Sequence, residues 1–317
     1  MTLAALLAAY SAGTAAVAPR FLAGAGWTSR APRLGVLTWL TLASTTLLAA
    51  LLGCATLVVP AFGNWLAHLL HTSLLQVRRD YGDTGGPAGV VIGEVAGSLL
   101  VLRLVYCAVR STLDTRRVRL HHQASLALLD SGRAPGAPVD ELVVLPHPVP
   151  AAYCVPGRPP RVVITSATRD LLEPDQLAGV LAHERAHLHG RHALLLGGVN
   201  ALRRAFGRLP VFAAARREIG RLLEMRADDA ATAVCDRVRL AEALVLLAEA
   251  GHRSGGAGAL DGVLAVAGSD ALARVRRLAA PYRPLSTAYQ ALTLIALLVC
   301  ALLPVVVSVA PAVVAYQ

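Results

Sequence analysis

The chain has 317 residues, a hydrophobic fraction of 55%, a mean hydropathy of +0.56 and only 16% charged residues. That balance excludes an ordinary soluble enzyme and fits an integral membrane protein with a modest soluble part. The net charge of +10 comes from arginine alone, since the sequence has no lysine. The arginines lie beside apolar segments without interleaved aromatic residues, a placement that follows the positive-inside rule and argues against direct nucleic-acid binding.

Four apolar stretches are long enough to cross a bilayer, which takes ~20 residues for ~30 Å of hydrocarbon. They run from about Leu3 to Ala18, Leu34 to Val59, Gly89 to Val109 and Thr287 to Val309. The first lacks the positive start of a signal peptide and is read as a span. Arg20, Arg30 and Arg33 make the 19–33 loop cytoplasmic, whereas Arg78 and Arg79 balanced by Asp80 and Asp83 suit an external loop at 61–88. Arg110, Arg116, Arg117 and Arg119 then place the soluble part inside. The expected organisation is therefore three spans over 1–110, a cytoplasmic domain over 111–286, and a fourth span with a short external tail over 287–317.

In the external loop Trp65, Leu66, Leu69, Leu70 and Leu74 recur at helical spacing, as on a surface helix, with His68 and His71 on its polar face. In the third span Gly89, Gly93 and Gly97 form a stripe that permits close helix packing, and with it a homo-oligomer. Arg103 is near enough to the cytoplasmic end to snorkel; Glu94 is deeper and is expected to face a helix neighbour or water.

The soluble domain opens with a helical stretch, Ser111 to Asp130. Two extended runs follow, Glu141 to Leu145 and Arg161 to Thr165, separated by the turn-prone Pro150 to Gly157. From Pro174 onward the pattern is helical, with breaks at Gly197-Gly198, Pro210 and Ser254 to Gly258, the last read as a loop. The five cysteines (Cys54, Cys107, Cys154, Cys235, Cys300) are scattered, three of them in apolar segments. They indicate neither a disulfide framework nor a thiolate metal site.

The most telling pattern is His183-Glu184-Arg185-Ala186-His187. Residues four apart share a helix face, so His183 and His187 can offer two imidazole nitrogens to one zinc ion. Glu184 is then placed as a general base toward water on the open side of the metal. Glu173-Pro174-Asp175-Gln176 supplies the helix start, and Leu177, Val180, Leu181 and Leu188 its apolar stripe. His189 and His192 turn away from the ligand face at ~100° per residue, which leaves them solvated or supporting a ligand from outside, and makes a third-histidine site untenable. A glutamate on a later helix is the better third ligand. In Glu224-Met225-Arg226-Ala227-Asp228, Glu224 can ligate while Asp228 accepts the outer N–H of a ligand histidine; Asp229 and Glu218 are weaker choices.

These residues carry a family resemblance. The run Ala151 to Gly157, then Arg161 to Ser166, Leu171-Leu172 and the Leu177-to-His187 helix, is similar to integral-membrane zincin peptidases. Two branches compete: the HtpX and CAAX prenyl protease type, and the BlaR/MecR beta-lactam sensor-transducers. Three spans before the domain and one after resemble the transducers. HtpX-like proteins place spans between the zinc and glutamate helices, and here Arg203, Arg204 and Arg208 interrupt that interval. The chain ends at Gln317 without the transducers' external penicillin-binding domain, so sensing by acylation is not expected. The usual asparagine of the small-aromatic turn is Ala151.

The resemblance implies a four-span α-helical membrane protein with a cytoplasmic α+β, mostly helical, gluzincin-like domain in a bacterial plasma membrane. It implies one zinc ion on His183, His187 and Glu224, Glu184 as the catalytic base and Asp228 behind a histidine. The substrate would be a protein, a transcriptional repressor among the candidates, lying as a strand along the Arg161-to-Thr165 edge. HtpX-like quality control and a non-catalytic signalling or scaffold protein with a structural metal are the other readings. Tyr153, His252 and several arginines remain candidates for stabilising the oxyanion.

Overall fold

A computed structural model describes residues 3–58, 86–130, 142–157, 159–253, 267–281 and 283–314. The expected surface helix, with His68 and His71, lies outside them. The chain begins with α1 (Leu3–Ala16), the short α2 (Ala18–Leu22) and α3 (Gly26–Arg30), then the long α4 (Pro32–Val58) and α5 (Gly86–Asp130). Three strands follow, β1 (Leu142–Leu145), β2 (Ala152–Val155) and β3 (Arg161–Thr165). The rest is helical: α6 (Ser166–Leu171), α7 (Pro174–His189), α8 (His192–Phe206), α9 (Pro210–Ala231), α10 (Arg237–Arg253), α11 (Ala267–Ala279) and α12 (Thr287–Val314).

Among the described residues four segments are long and apolar enough to cross a membrane: Leu3–Leu22, Pro32–Val58, Ala88–Arg117 and Thr287–Ala310. They match the four stretches read from composition. The third does not stop where the soluble domain was expected to start. No glycine or proline follows Gly97 until beyond Asp130, so α5 runs unbroken through residue 111.

Hydroxyl groups join α1, α4 and α12. Tyr10 donates to the Cys300 carbonyl at 2.8 Å, Ser11 to the Thr46 carbonyl at 3.0 Å, and Thr46 to Thr14 Oγ1 at 2.9 Å. Such bonds hold helices together where the surroundings offer little hydrophobic drive. The glycine stripe is used within the chain. A Cβ on Gly93 would lie 2.8 Å from the Cys54 carbonyl oxygen and 2.9 Å from Leu57 Cβ, and one on Gly97 3.4 Å from Cys54 Cβ. The stripe therefore seats α5 on α4 and does not offer these glycines to a second copy. Glu94, next to it, is exposed and not turned toward a neighbouring helix.

The helices that follow the histidine motif dock on the same bundle. Val211, Phe212, Ala215, Ile219 and Leu222 of α9 bury against Val36, Trp39, Leu42 and Ala43 of α4. Gly35 makes room for this, since a Cβ there would meet Leu222 Cδ1 at 2.9 Å. On the other side Ser111 of α5 donates to the Gly197 carbonyl of α8 at 3.1 Å. Arg103 donates to the Ala205 carbonyl in the last turn of α8, where a cation suits the helix dipole. Arg103, though exposed, thus has a partner within the chain at a helix end.

The sheet order is β1-β3-β2, with β1 parallel and β2 antiparallel to β3. Two expectations change. The segment flanked by Pro150 and Gly157 contains a strand, because proline and glycine bound it without interrupting Ala152–Val155. And β3 is central, paired on both sides, so it has no free edge for a substrate; β2 is an outer strand, and it packs beside α7.

Candidate metal centre

α7 starts on a capping box. The Glu173 side chain accepts from the backbone N–H of Gln176, the third helical residue, while the Glu173 N–H donates to Gln176 Oε1 at 3.2 Å, with Pro174 at the first helical position. Arg239 of α10 clamps this start, reaching Glu173, Asp175 at 3.1 Å and Glu242 at 2.9 Å. Gly179 lets α10 and the turn before it approach, for a Cβ there would come within 2.8 Å of Cys235 Cβ and 3.3 Å of Leu240 Cδ1. The helix is therefore held at its beginning and middle, ahead of its functional residues.

His183 and His187 sit side by side near the end of α7, their Nε2 atoms 3.1 Å apart. Glu224 of α9 meets both: Oε2 is 3.4 Å from His183 Nε2, and Oε1 is 3.5 Å from His187 Nε2. One ligand atom from each of the three lies within 4.8 Å of the others. Two imidazole nitrogens and a carboxylate oxygen turned to one point are a donor set that fits a zinc ion.

The outer nitrogen of His183 is held by Asp228, with Nδ1 and Oδ1 3.0 Å apart. Asp228 is fully buried. Its charge is met by Arg274 of α11, whose Nη2 and Nε reach the carboxylate at 2.6 and 2.8 Å. The same guanidinium lies 3.2 Å from Glu224 Oε2. The sequence reading missed Arg274, one arginine among thirty with no local pattern to mark it. Only packing α11 against α9 reveals it.

The alternatives fall elsewhere. Glu218 pairs with Arg221 at 2.8 Å, and Asp229 with Arg277 at 2.7 Å. Tyr153 lies on the other face of β2 from Cys154, packed with Val155 and Val163, so it does not point at the metal ligands. The side chain of His252 is outside the described residues. His189 is exposed, bonded to the Arg185 carbonyl. His192 is neither solvated nor turned away. It is buried, and its Nδ1 lies 2.8 Å from His187 Nδ1. The helical wheel fails there because α7 ends at His189 and Arg191 takes a left-handed φ of 50°, which folds the next residue back.

Burial and charge set the protonation of these groups. Burial opposes a charge on His183, but hydrogen bonds to Asp228 and Glu224 outweigh it and lift the imidazole to about 9. In His187 burial wins, and the pKa falls to about 4. Burial would raise Glu224, yet His183 and Arg274 hold it at about 2. Against its own burial, Asp228 is held below the usual carboxylate range by Arg274 and His183. Burial pushes the Glu184 carboxyl up, toward the range in which a general base works. The neighbouring Cys154 thiol is pushed to about 12, by burial first and then by Glu184.

Paired helical histidines, an opposed glutamate, a carboxylate behind one histidine and an acid beside the pair define a zincin-like centre. Comparison with known proteins agrees with that class. Peptidase family M48 matches residues 115–255, which contain the whole centre except Arg274. A protease HtpX homolog of Persephonella marina (strain DSM 14350 / EX-H1) is 38% identical over 66 residues, 20% of this chain and 23% of that protein. The matched stretch thus spans about a quarter of the length of that curated relative. No solved structure matches.

Proposed function

We propose that this protein is a membrane zinc endopeptidase. The observation that carries the reading is the convergence of His183 Nε2, His187 Nε2 and the Glu224 carboxylate beside Glu184, in a domain similar to peptidase family M48. A zinc ion held by those three residues supplies Lewis acidity to water and to a peptide carbonyl. Glu184 takes the proton from the attacking water and returns it to the leaving amine. Its upward-shifted carboxyl suits both halves of that task. Asp228 holds His183 in the tautomer that presents Nε2 inward, and Arg274 keeps Asp228 ionised.

The substrate lies as an extended strand on β2. Thr165 N–H donates to the Ala151 carbonyl, so alternation turns the main-chain groups of Ala152 and Cys154 away from β3. A peptide added there runs beside α7 and across the metal ligands. The domain faces the cytoplasm of a bacterial cell, the side marked by Arg20, Arg30, Arg33, Arg110, Arg116 and Arg117.

Two substrate readings each have a supporting observation. The likeness to an HtpX homolog favours quality control of membrane proteins. The order of candidate spans, three before the domain and one after, favours a BlaR/MecR-like transducer that cuts one soluble repressor. Quantitative proteomics of cells expressing wild type against Glu184→Gln separates them. Accumulation of many membrane proteins in the variant supports the first, and accumulation of a single soluble regulator supports the second. Identical proteomes count against both.

A further inference from the structure

His187 points Nε2 at Glu224 and His183, while its Nδ1 faces a single buried partner, Nδ1 of His192 at 2.8 Å. The two rings meet edge to face, centroids 4.7 Å apart and planes at 89°. A neutral imidazole carries one N–H. For His187 to offer a lone pair at Nε2 its hydrogen must sit on Nδ1, and there only His192 Nδ1 stands to accept it. We infer that His192 is a positioning residue for the metal centre: it accepts the Nδ1–H of His187 and fixes the tautomer and ring angle in which His187 can ligate. The inference rests on the zinc-peptidase reading and adds to it a residue outside the ligand set.

The two ligand histidines would then be supported asymmetrically. His183 is backed by the carboxylate of Asp228 and His187 by a neutral imidazole. In the opposite assignment His192 would donate, and the hydrogen of His187 would sit on Nε2, on the side where the cation belongs. His192 Nε2 is buried with no partner among the described residues in either arrangement. Its cost therefore does not choose between the tautomers, and the cation does.

The local chain is shaped around this contact. Arg191 in the left-handed region reverses direction between α7 and α8 so that His192 falls back on the preceding turn. Gly190 has an ordinary helical φ of −73°, so its backbone alone does not demand glycine. Space does. A Cβ at position 190 would lie 2.4 Å from His192 Nε2, 2.6 Å from its Cδ2 and 2.9 Å from the Ala186 carbonyl oxygen. Any side chain there displaces the His192 ring.

The test uses the full chain in detergent or nanodiscs and measures zinc affinity by chelator competition, together with the visible spectrum of the cobalt-loaded protein. His192→Phe keeps the bulk and removes the acceptor; it is expected to weaken zinc binding 10–100-fold, the usual loss for a residue behind a ligand, and to alter the cobalt bands. His192→Asn places an oxygen where Nδ1 was and is expected to restore most of the affinity and the spectrum. Gly190→Ala, with His192 intact, is expected to move both readouts the same way as His192→Phe. Wild-type affinity and spectrum in His192→Phe overturn the inference, as does an asparagine variant no better than phenylalanine. Should His192→Phe fail to fold, His192→Asn and Gly190→Ala decide between these outcomes. Wild-type protein that binds no zinc overturns the metal centre itself, a different result from a wild type that binds zinc and a His192→Phe form that binds it equally well.

Discussion

Asp228 Oδ1 stands 3.0 Å from His183 Nδ1 and 2.6 Å from Arg274 Nη2, so one buried oxygen ties a proposed metal ligand to a cation 91 residues further along the chain. Asp228→Asn removes the charge and keeps the shape. Zinc affinity is expected to fall 10–100-fold, because the amide can present its N–H to His183 as readily as its oxygen. Competition with a chromophoric chelator measures it, and unchanged affinity would show that Asp228 does not orient the ligand.

Besides the protonated imidazole of His183, Arg274 is in contact with both Glu224 and Asp228. In Arg274→Met the fully buried carboxylate of Asp228 loses its arginine and keeps only His183 as a charged partner until zinc binds nearby. Breaking a buried pair from one side costs roughly 3–5 kcal/mol, so the zinc-free variant should unfold well below wild type. The rise in Tm on adding zinc should be larger than in wild type. Equal zinc-induced shifts in the two proteins contradict this role.

Zinc and protons compete at His183. Its pKa without metal is about 9, so at neutral pH the ion must displace one proton there. His187, lowered to about 4, is already neutral and does not compete. Affinity should therefore rise about tenfold per pH unit through neutral pH and level off near 9. Calorimetry in buffers of different ionisation enthalpy should find close to one proton released per zinc at pH 7.5. The sign reverses for zinc-free stability. A raised histidine pKa stabilises fully below the unfolded value of ~6.5, and that stability is lost as pH climbs through about 9. Zinc uptake independent of pH between 6 and 8 rules the account of His183 out.

Gly93→Ala should destabilise the fold by about 1–3 kcal/mol, the usual cost of overpacking, because the added methyl runs into the Cys54 carbonyl and Leu57 of the same chain. Thermal unfolding in detergent reads the loss. If Gly93 served an interface between copies, the variant would change oligomeric state with little effect on the Tm of the monomer.

The parts of the site that lie within one helix were legible in the sequence. His183 and His187, and Glu224 and Asp228, are each four apart, and helical periodicity alone places each pair on one face. Between helices, only the meeting of the Glu224/Asp228 pair with the histidines was anticipated; the other contacts were not. His192 sits past a left-handed break that a helical wheel cannot turn, so its position was extrapolated along an axis the chain leaves at Gly190. Arg274 reaches the centre from α11 with nothing in its neighbourhood to distinguish it from other arginines. β2 was hidden between Pro150 and Gly157, and its presence makes β3 an inner strand. The glycine stripe was recognised as a packing surface, but sequence does not name the partner, which is α4.

The central claim is that His183, His187 and Glu224 hold one zinc ion which Glu184 needs for hydrolysis. The most direct measurement pairs zinc content with cleavage of a β-casein probe by purified wild type, Glu184→Gln and Glu224→Ala. The account predicts one zinc per chain and cleavage in wild type, one zinc and no cleavage in Glu184→Gln, and neither in Glu224→Ala. A Glu184→Gln protein that still cuts, or a Glu224→Ala protein that retains its full zinc content, would contradict it.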